Sequence, residues 1–365
     1  MHQITYQQTI TMDAKQYYTA EVHGDYQIFE LGDFAVAEGG TIPNCQLAYK
    51  TFGTLNVAKD NVILVPTWFS GSHQIMQQVY VGEGRALDPG KYFIVIINQL
   101  GNGLSSAPHD TPFPRNQANF PQLRISDDVR AQHQLLTELF GIDFLALIVG
   151  GSMGAQQTYE WAARYPDMVK RAAPIAGTAQ VTPHNFLLTQ GLQNSIMSDP
   201  AWLNGWYEKS TDVHIGLRRL AEHCNLMGWS PAFFKKDRWR TLGFTSLEDF
   251  ITRFMIGYFG PMDPNNLLVM IKKWQLGDIC YQRSDNLKEA LAKIKAKVFV
   301  LAIEGDLMFP PADCEHEQLM IPDSEFHITR TTDGHFALFG TDPHHLEQVD
   351  AHLKTLLATP AKISI

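Results

Sequence analysis

The first residue that could do chemistry is Ser152, which lies in the pattern G-x-S-x-G at residues 150–154. An apolar run ends just before this pattern, and a helical periodicity begins at Ala155. In a tight turn between a strand and a helix, small residues permit close packing and a strained serine backbone. The serine oxygen then lies at the helix N-terminus, where N–H groups and the helix dipole favour an oxyanion. We predict that Ser152 is a nucleophile; the alternative is a glycine-rich turn with an incidental serine.

A serine nucleophile needs a general base, and the base needs an acid that orients it. On a strand-turn-helix scaffold, the acid and the histidine follow the serine in the chain, each on a loop after a later strand. Asp306 directly follows the strand-like run VFVLAIEG, and His335 follows FHITRTTDG. We therefore predict that Asp306 orients His335, and that His335 takes the proton of Ser152.

Other residues compete for these two roles. Three further acids lie within a strand, at a helix start and in a turn: Glu304, Asp313 and Asp333. The 14 histidines include one that alternates within a strand and two at the start of the last helix: His327, His344 and His345. Position after a strand, in the required chain order, favours Asp306 and His335.

An acyl-transfer site also needs two N–H groups that stabilise the oxyanion. One usually belongs to the residue after the nucleophile, here Met153, and the other to a loop after an earlier buried strand. That loop is TWFSGSH at residues 67–73, which follows the run NVILVP. Phe69 is the predicted second donor and its neighbour Trp68 is the alternative, while Gly71 permits close backbone approach. An ordinary strand-to-helix loop would also explain this segment.

The elements around these residues alternate between strand and helix patterns. YQIFELGDFAV and CQLAYKTFG alternate like antiparallel edge strands, whereas NVILVP and YFIVIIN are continuous apolar runs, typical of strands buried on both faces. A helix is predicted to begin at the capping residue Ser126. The order predicts an α/β fold with a mostly parallel central sheet and helices on both faces.

The alternation stops between about Thr178 and Glu289. This segment contains helical stretches rich in aromatic residues and methionine, and strand-like sequence returns afterwards at KVFVLAIEGD. A helical insertion explains this order better than an independent domain does. We predict a core domain of residues 1–177 and 290–365, and a helical lid of residues 178–289. The apolar content of the lid also predicts a homodimer formed through the lid helices.

Several segments resemble the homoserine O-acetyltransferase family of the α/β-hydrolase superfamily, in matching order over nearly the whole chain. They include ISDDVRAQHQLLTELFGI, VGGSMGAQQTYEWAARYPDMV, KKWQLGDICY and GDLMFPP. The resemblance implies an α/β-hydrolase fold, a helical lid over a deep active-site tunnel, and often a homodimer through the lid. It also implies a catalytic triad of Ser152, Asp306 and His335, the residues that the chain order favours.

The chain departs from that family at two positions. Members usually carry an aspartate directly after the catalytic histidine and an arginine shortly before a D-P-x-W segment, and these two residues hold the charged groups of homoserine. Here the positions are Phe336 and Gln193. A buried substrate charge without a partner is costly. With Trp68, Phe69 and Met153, the predicted pocket is apolar and suits a neutral ester.

The predicted function is therefore a serine carboxylesterase that hydrolyses short-chain (acetyl) esters of neutral alcohols through an acyl-Ser152 intermediate. The alternative is an O-acetyltransferase that moves acetyl from acetyl-CoA to homoserine or another hydroxyl, because both reactions share the first step. The basic segment KKDRWR at residues 235–240 could bind CoA phosphates, although a solvated lid face also explains it. A hydrolase fold that only binds ligands is a third hypothesis, which the complete triad disfavours.

Composition limits the expected partners and location. The net charge of -9 argues against nucleic acid and acidic membrane surfaces as partners. No basic and apolar leader opens the sequence, and no apolar run approaches the roughly 20 residues of a membrane span. The 4 scattered cysteines predict neither a disulfide framework nor a metal site. We expect a cytoplasmic enzyme with a small-molecule ester substrate, no metal and no cofactor.

Overall fold

The computed structural model describes residues 12–361, and within them one eight-stranded sheet forms the centre of the fold. The strands are β1 (Gln27–Ala35), β2 (Thr41–Phe52), β3 (Val62–Pro66), β4 (Phe93–Ile97), β5 (Leu147–Gly151), β6 (Arg171–Ile175), β7 (Lys297–Ile303) and β8 (Ser324–Thr329). Their spatial order is β1-β2-β4-β3-β5-β6-β7-β8. β2 runs antiparallel to both β1 and β4, and every other pair is parallel. The predicted α/β class and mostly parallel sheet are confirmed.

Helices connect and cover these strands. They are α1 (Ala14–Tyr17), α2 (Ala20–His23), α3 (His73–Tyr80), α4 (Ile125–Gln134), α5 (Met153–Arg164), α6 (Pro183–Met197), α7 (His214–Gly228), α8 (Pro231–Lys235), α9 (Leu247–Phe250), α10 (Gly257–Phe259), α11 (Pro264–Gln275), α12 (Leu287–Ala292), α13 (Pro311–Gln318) and α14 (Pro343–Ala358). Short 3-10 turns occur at Gln117–Asn119, Pro200–Gly205, Ser210–Val213, Arg238–Leu242 and Gly334–Phe339, and π turns at Leu135–Leu139 and Ile251–Ile256.

The sheet is buried on both faces, and alternate residues of its central strands enter two separate apolar cores. On β4, Val95 and Ile97 belong to one core, whereas Ile94 and Ile96 belong to the other. The first core contains residues of α4, α5 and the helices between β6 and β7, and the second contains residues of α3 and α14. This double burial explains why the parallel strands read as continuous apolar runs.

The prediction that both N-terminal strands lie at a sheet edge is wrong for the second one. β2 lies between β1 and β4, and only its last residues, 49–52, pair with β4. Its first residues pair with β1 alone, and there Cys45 and Leu47 are buried while Gln46 is exposed. The first part of β2 extends beyond β4 and pairs with β1 alone. This part therefore alternates between buried and exposed side chains, as an edge strand does.

Two helices begin earlier than the sequence predicted. α4 begins at Ile125, so Ser126 lies inside the first turn and is not the cap. Its N-cap is Arg124, whose backbone N–H donates to the Asp127 carboxylate at 2.8 Å. α5 begins at Met153 instead of Ala155, which makes Ser152 the N-cap of the helix. In both cases the backbone conformation of the residue that precedes the helix, Arg124 or Ser152, determines where the first turn begins.

The chain between β6 and β7 is helical, with no strand within this described segment. Its two ends meet: the Val181 N–H donates to the Gly277 carbonyl at 2.9 Å, and the Ile279 N–H donates to the Ala179 carbonyl at 3.3 Å. The first paired end lies at the predicted start of the lid, whereas the second precedes the predicted end, residue 289, which falls within α12. We keep the name lid for the predicted segment of residues 178–289. None of the helices in residues 12–361 combines the length and apolarity that a membrane crossing requires.

Candidate active site

Ser152 is the single residue that connects β5, which ends at Gly151, to α5, which begins at Met153. Its φ of 54° and ψ of -123° lie outside the regions that a serine normally occupies, so the backbone is strained. The turn is also too tight for a side chain at residue 150, where a Cβ would lie 2.4 Å from the Gly154 carbonyl oxygen. The sequence pattern therefore produces a strained serine at the N-terminus of a helix.

Two later loops bring an acid and a histidine to this serine. Asp306 follows β7, and His335 lies in the 3-10 turn after β8. His335 Nε2 is 3.0 Å from Ser152 Oγ, and His335 Nδ1 is 2.7 Å from Asp306 Oδ2. All three residues are buried, with exposed fractions of 5% or less. The structure thus joins three residues, of which the first and the last, Ser152 and His335, are 183 positions apart in the chain.

The hydrogen bonds around Asp306 determine what the histidine can do. Asp306 Oδ1 accepts the backbone N–H groups of Met308 at 2.8 Å and Phe309 at 2.9 Å, which fixes the carboxylate. A carboxylate can only accept, so Nδ1 of His335 carries the hydrogen and Nε2 has its lone pair directed at Ser152 Oγ. In this tautomer His335 can take the serine proton, and Asp306 can stabilise the resulting imidazolium.

The competing candidates have other surroundings. Glu304 is exposed, Asp313 lies on α13, and His327 packs between Phe299 and His352. Asp333 is fully buried, but its carboxylate accepts the Thr341 hydroxyl at 2.8 Å and lies beside Arg238. His344 and His345 occupy the first turn of α14. Ser152 Oγ is therefore hydrogen-bonded to His335 and not to any of these residues.

The loop of residues 67–72 lies next to Ser152 and is held from several directions. The Thr67 carbonyl accepts the side-chain amides of Gln99 at 2.6 Å and Gln157 at 3.0 Å, and the Ser70 carbonyl accepts the Tyr258 hydroxyl at 2.9 Å. In residues 12–361 no hydrogen bond uses the N–H of Phe69, and Met153 is the first residue of α5, where the N–H has no partner within the helix. Both predicted oxyanion donors are therefore available to a ligand.

A narrow cavity opens onto Ser152 and His335. About 30 Å³ of it is open to the centre of a water molecule. Its walls are largely aromatic or aliphatic and include the predicted residues Trp68, Phe69 and Phe336. The remaining lining residues are Ser70, Cys224, Phe259, Trp274, Met308, Leu338 and Phe339. Within the described chain no Lys, Arg, Asp or Glu lines this cavity, so it suits a small and uncharged group.

Two outcomes at the cavity differ from the sequence-based picture. Gln193 and Met153 are not among its lining residues in the described chain; the Gln193 side-chain amide donates to the Thr189 carbonyl within α6 at 3.3 Å. Cys224 of α7 does line the cavity, and burial raises the pKa of its thiol to about 12, so the thiol stays neutral. Sequence reasoning missed Cys224 because it belongs to an ordinary amphipathic helix pattern with no local signal.

We searched the described part of the chain for side chains that could hold a metal ion. No group of three or more His, Cys, Asp or Glu side chains among residues 12–361 is arranged to hold a metal ion. The site itself presents a serine, a histidine and a carboxylate, with backbone N–H groups nearby.

Comparison with known proteins identifies the fold family and similar enzymes. Residues 60–341 match the model of the α/β hydrolase fold family. The chain is 54% identical over 345 residues to the ethyl acetate hydrolase of Pseudomonas veronii, covering 94% of this chain and 99% of that protein. It also matches the crystal structure of the acetyl esterase MekB with a TM-score of 0.92 and 53% identity, covering 94% of this chain and 99% of that one.

More distant similarity reaches acetyltransferases. The homoserine O-acetyltransferase of Methanobrevibacter ruminantium is 31% identical over 303 residues, which cover 75% of this chain and 61% of that protein. The sequence resemblance to that family is thus confirmed, while the most extensive similarity reported above is to esterases. With its eight-stranded sheet and serine turn, the chain belongs to the α/β-hydrolase fold family.

Proposed function

We propose that this protein is a carboxylesterase that hydrolyses short-chain acetyl esters of neutral alcohols through an acyl-Ser152 intermediate. The observation that carries the proposal is the hydrogen-bonded chain from Ser152 Oγ through His335 to Asp306, buried at the end of a narrow apolar cavity. The names of two similar proteins, an ethyl acetate hydrolase and an acetyl esterase, support the same substrate class.

The first half of the reaction acylates the serine. Ser152 Oγ attacks the ester carbonyl carbon while its proton passes to Nε2 of His335. The carbonyl oxygen becomes an oxyanion, for which the free N–H groups of Phe69 and Met153 are the proposed donors. The carbon–oxygen bond to the alcohol then breaks, and the alcohol leaves with the proton from His335. Acyl-Ser152 and a free alcohol result.

The second half returns the enzyme to its starting state. A water molecule gives its proton to Nε2 of His335 as its oxygen attacks the acyl carbonyl carbon, and the oxyanion forms again in the same place. The bond from the carbonyl carbon to Ser152 Oγ breaks, the serine recovers a proton from His335, and the carboxylic acid leaves. Asp306 keeps the imidazole oriented in both halves and remains ionised.

The cavity walls favour water over a charged acceptor. Homoserine carries an ammonium and a carboxylate, and each charge needs a partner if it is to be buried without a large penalty. The wall offers Phe336 where an aspartate would hold the ammonium, and the amide of Gln193 bonds its own helix. Water has no charge to desolvate, and the roughly 30 Å³ of the cavity that is open to the centre of a water molecule is enough to admit one. We therefore propose hydrolysis as the fate of acyl-Ser152.

Product analysis tests this proposal. The protein is incubated with ethyl acetate or p-nitrophenyl acetate in one series, and with acetyl-CoA and homoserine in another. We expect acetate and free alcohol in the first series and no O-acetylhomoserine in the second. The Ser152→Ala variant is the blank for both. Formation of O-acetylhomoserine at a rate comparable to ester hydrolysis would replace the esterase with the acetyltransferase alternative, and no turnover with any ester would contradict the proposal.

We also propose that the protein is a homodimer formed through the lid. Large apolar side chains are exposed on lid residues of α6, α7 and the turns between them: Phe186, Leu187, Met197, Leu203, Trp206, Ile215 and Leu226. Leu187 is 72% exposed and Leu226 is 65% exposed, a cost to solubility that an interface would remove.

We propose a cytoplasmic location as well. The 4 cysteines are free thiols, which supports this location.

Sedimentation tests the dimer. We expect a dimer for the native chain at micromolar concentration and a monomer for Leu187→Asp, because a buried unpaired carboxylate opposes association. Val57→Asp is the matched control, since Val57 is fully exposed outside the lid and should leave the assembly unchanged. A native monomer, or dissociation by the control substitution alone, would contradict a lid interface.

A further inference from the structure

The lid segment Gly228–Arg238 lies directly on the loop that carries His335. The ring of Phe336 occupies the space that a side chain at residue 228 would need, since a Cβ there would lie 2.1 Å from the ring. A Cβ at residue 334 would lie 2.7 Å from the Ser230 backbone nitrogen. Gly334 also has a φ of 64°, which other residues rarely adopt. Lid and loop are thus in contact through their backbones.

Two polar side chains of the same lid segment bond to this loop. The Ser230 hydroxyl donates to the Thr332 carbonyl at 2.5 Å, and the same oxygen accepts the Phe233 N–H at the start of α8. Arg238 Nε lies 3.4 Å from Asp333 Oδ1. These contacts attach to residues 332 and 333, two or three positions before His335.

Asp333, the partner of Arg238, also forms hydrogen bonds on both sides of His335 within the loop. Its Oδ2 accepts the Thr341 hydroxyl at 2.8 Å, and its backbone N–H donates to the Thr331 hydroxyl at 3.1 Å. The residue therefore ties both ends of the segment that contains His335. Its side chain is fully buried, and a buried carboxylate requires a cationic or hydrogen-bonding partner. Among residues 12–361, Arg238 is the cation paired with this carboxylate.

We propose that Arg238 is a positioning residue that holds His335 in line with Ser152 through its ion pair with Asp333, with Ser230 as a second attachment. The proposal rests on the esterase function proposed above. It gives the segment KKDRWR a role other than phosphate binding. Arg240, the other arginine of the segment, lies instead over the Trp239 ring and 3.6 Å from Asp237, with 58% of its side chain exposed.

The physical reason is the tight geometric requirement of proton transfer. Nε2 of His335 must stay within hydrogen-bond reach of Ser152 Oγ, now 3.0 Å, during acylation and deacylation. A displacement of about 1 Å caused by a remote change can cost about a hundredfold in rate. Arg238 does not line the cavity, so its loss should lower kcat much more than it changes KM.

Steady-state hydrolysis of p-nitrophenyl acetate tests the ion pair, with melting curves on every variant. We expect Arg238→Met to lower kcat by roughly tenfold to a hundredfold with little change in KM. Arg238→Lys, which keeps the charge, should recover most of that loss. Arg240→Met is the matched control and should retain native kcat. Native kcat in Arg238→Met, or an equal loss in the Arg240 control, would overturn the proposal.

A double-mutant cycle separates pairing from independent effects. Asp333→Asn should lower kcat about as much as Arg238→Met does, and the double variant should lose no more than either single variant. Additive losses would contradict the positioning role. If Ser152→Ala proves as active as the native chain, the proposed function fails; if that variant is inactive and Arg238→Met is fully active, only the positioning role fails.

A second pair of variants applies if Arg238→Met does not fold. Ser230→Ala removes both the bond to Thr332 and the cap of α8, whereas Ser246→Ala removes only the cap of α9. Both variants lose a helix cap, so similar changes in stability are expected. Only Ser230→Ala should lower kcat. Equal kcat in these two variants would remove Ser230 from the proposal.

Discussion

Within residues 12–361, three serine–histidine pairs occur at similar distances in different regions, and only one of them has the surroundings of a catalytic site. Ser152 Oγ is 3.0 Å from His335 Nε2, Ser195 Oγ is 2.9 Å from His223 Nδ1, and Ser72 Oγ is 3.3 Å from His23 Nδ1. Distance alone therefore does not select the site. The difference lies in the third partner, the burial and the backbone around each pair.

The pair on the lid surface lacks an acid and a strained serine. Ser195 lies inside α6, where its hydroxyl donates to the Gly191 carbonyl at 2.9 Å, and His223 is exposed on α7. The pair of Ser72 and His23 is buried, and no carboxylate of the described residues forms an ion pair with His23, which packs against Tyr17 and Tyr18. Only His335 combines burial with a carboxylate at 2.7 Å, so only there is one tautomer enforced.

The largest expected effect comes from removing the serine of the first pair. Ser152→Ala should lower kcat for acetyl ester hydrolysis by about 10⁶-fold, the cost seen when a triad serine is removed. The fold should persist, because the substitution removes one oxygen in a site with room for its loss. Steady-state hydrolysis and circular dichroism measure both. Activity above about a hundredth of the native rate would move the nucleophile elsewhere.

The next effect concerns the acid that distinguishes this pair. Asp306→Asn should lower kcat by about 10⁴-fold, because an amide at this position favours the wrong tautomer of His335. Asp313→Asn, on α13 nearby in the chain, is the control and should remain close to native. The comparison uses kcat at saturating ester. A large loss in the control together with a small loss in Asp306→Asn would reassign the acid.

A third prediction uses the buried pair without a carboxylate. Burial, with His73 nearby, lowers the pKa of His23 from the usual value near 6.5 to about 4. Between these pH values the unfolded chain binds a proton that the folded chain does not, so the free energy of unfolding falls as pH falls from 6.5 to 4. This residue accounts for up to about 3 kcal/mol of the loss.

Urea denaturation across that pH range measures the effect. His23→Gln should flatten the acid loss of stability, since a glutamine takes up no proton. An unchanged slope in His23→Gln would mean that folding does not lower the pKa of His23, which would contradict this prediction.

The smallest effect is expected at the lid pair. Ser195→Ala removes a hydrogen bond at the part-buried surface of α6 and should change the free energy of unfolding by no more than about 1 kcal/mol. Its kcat should equal the native value, because neither Ser195 nor His223 lines the cavity. A drop in kcat without a drop in stability would show that this second pair takes part in catalysis after all.

The local sequence predicted much of the fold because its signals are short-range. Continuous apolar runs identified the buried strands β3 and β4, and small residues around Ser152 identified the turn between β5 and α5. The errors also have local causes. Ser126 has the residue type of a cap but lies inside α4, and β2 alternates although it is an interior strand, because one end of it is uncovered.

Residue types and their order along the chain sufficed to predict the fold class and the three candidates Ser152, Asp306 and His335, since strand order in this fold dictates which loop ends converge. The remaining features depend on the folded structure. It placed Cys224 in the cavity wall, bonded Gln193 to its own helix, and set Arg238 on the loop of His335. Those contacts join positions that are far apart in the chain, on a lid whose packing has no short-range signature. Residue types and spacing therefore do not predict them.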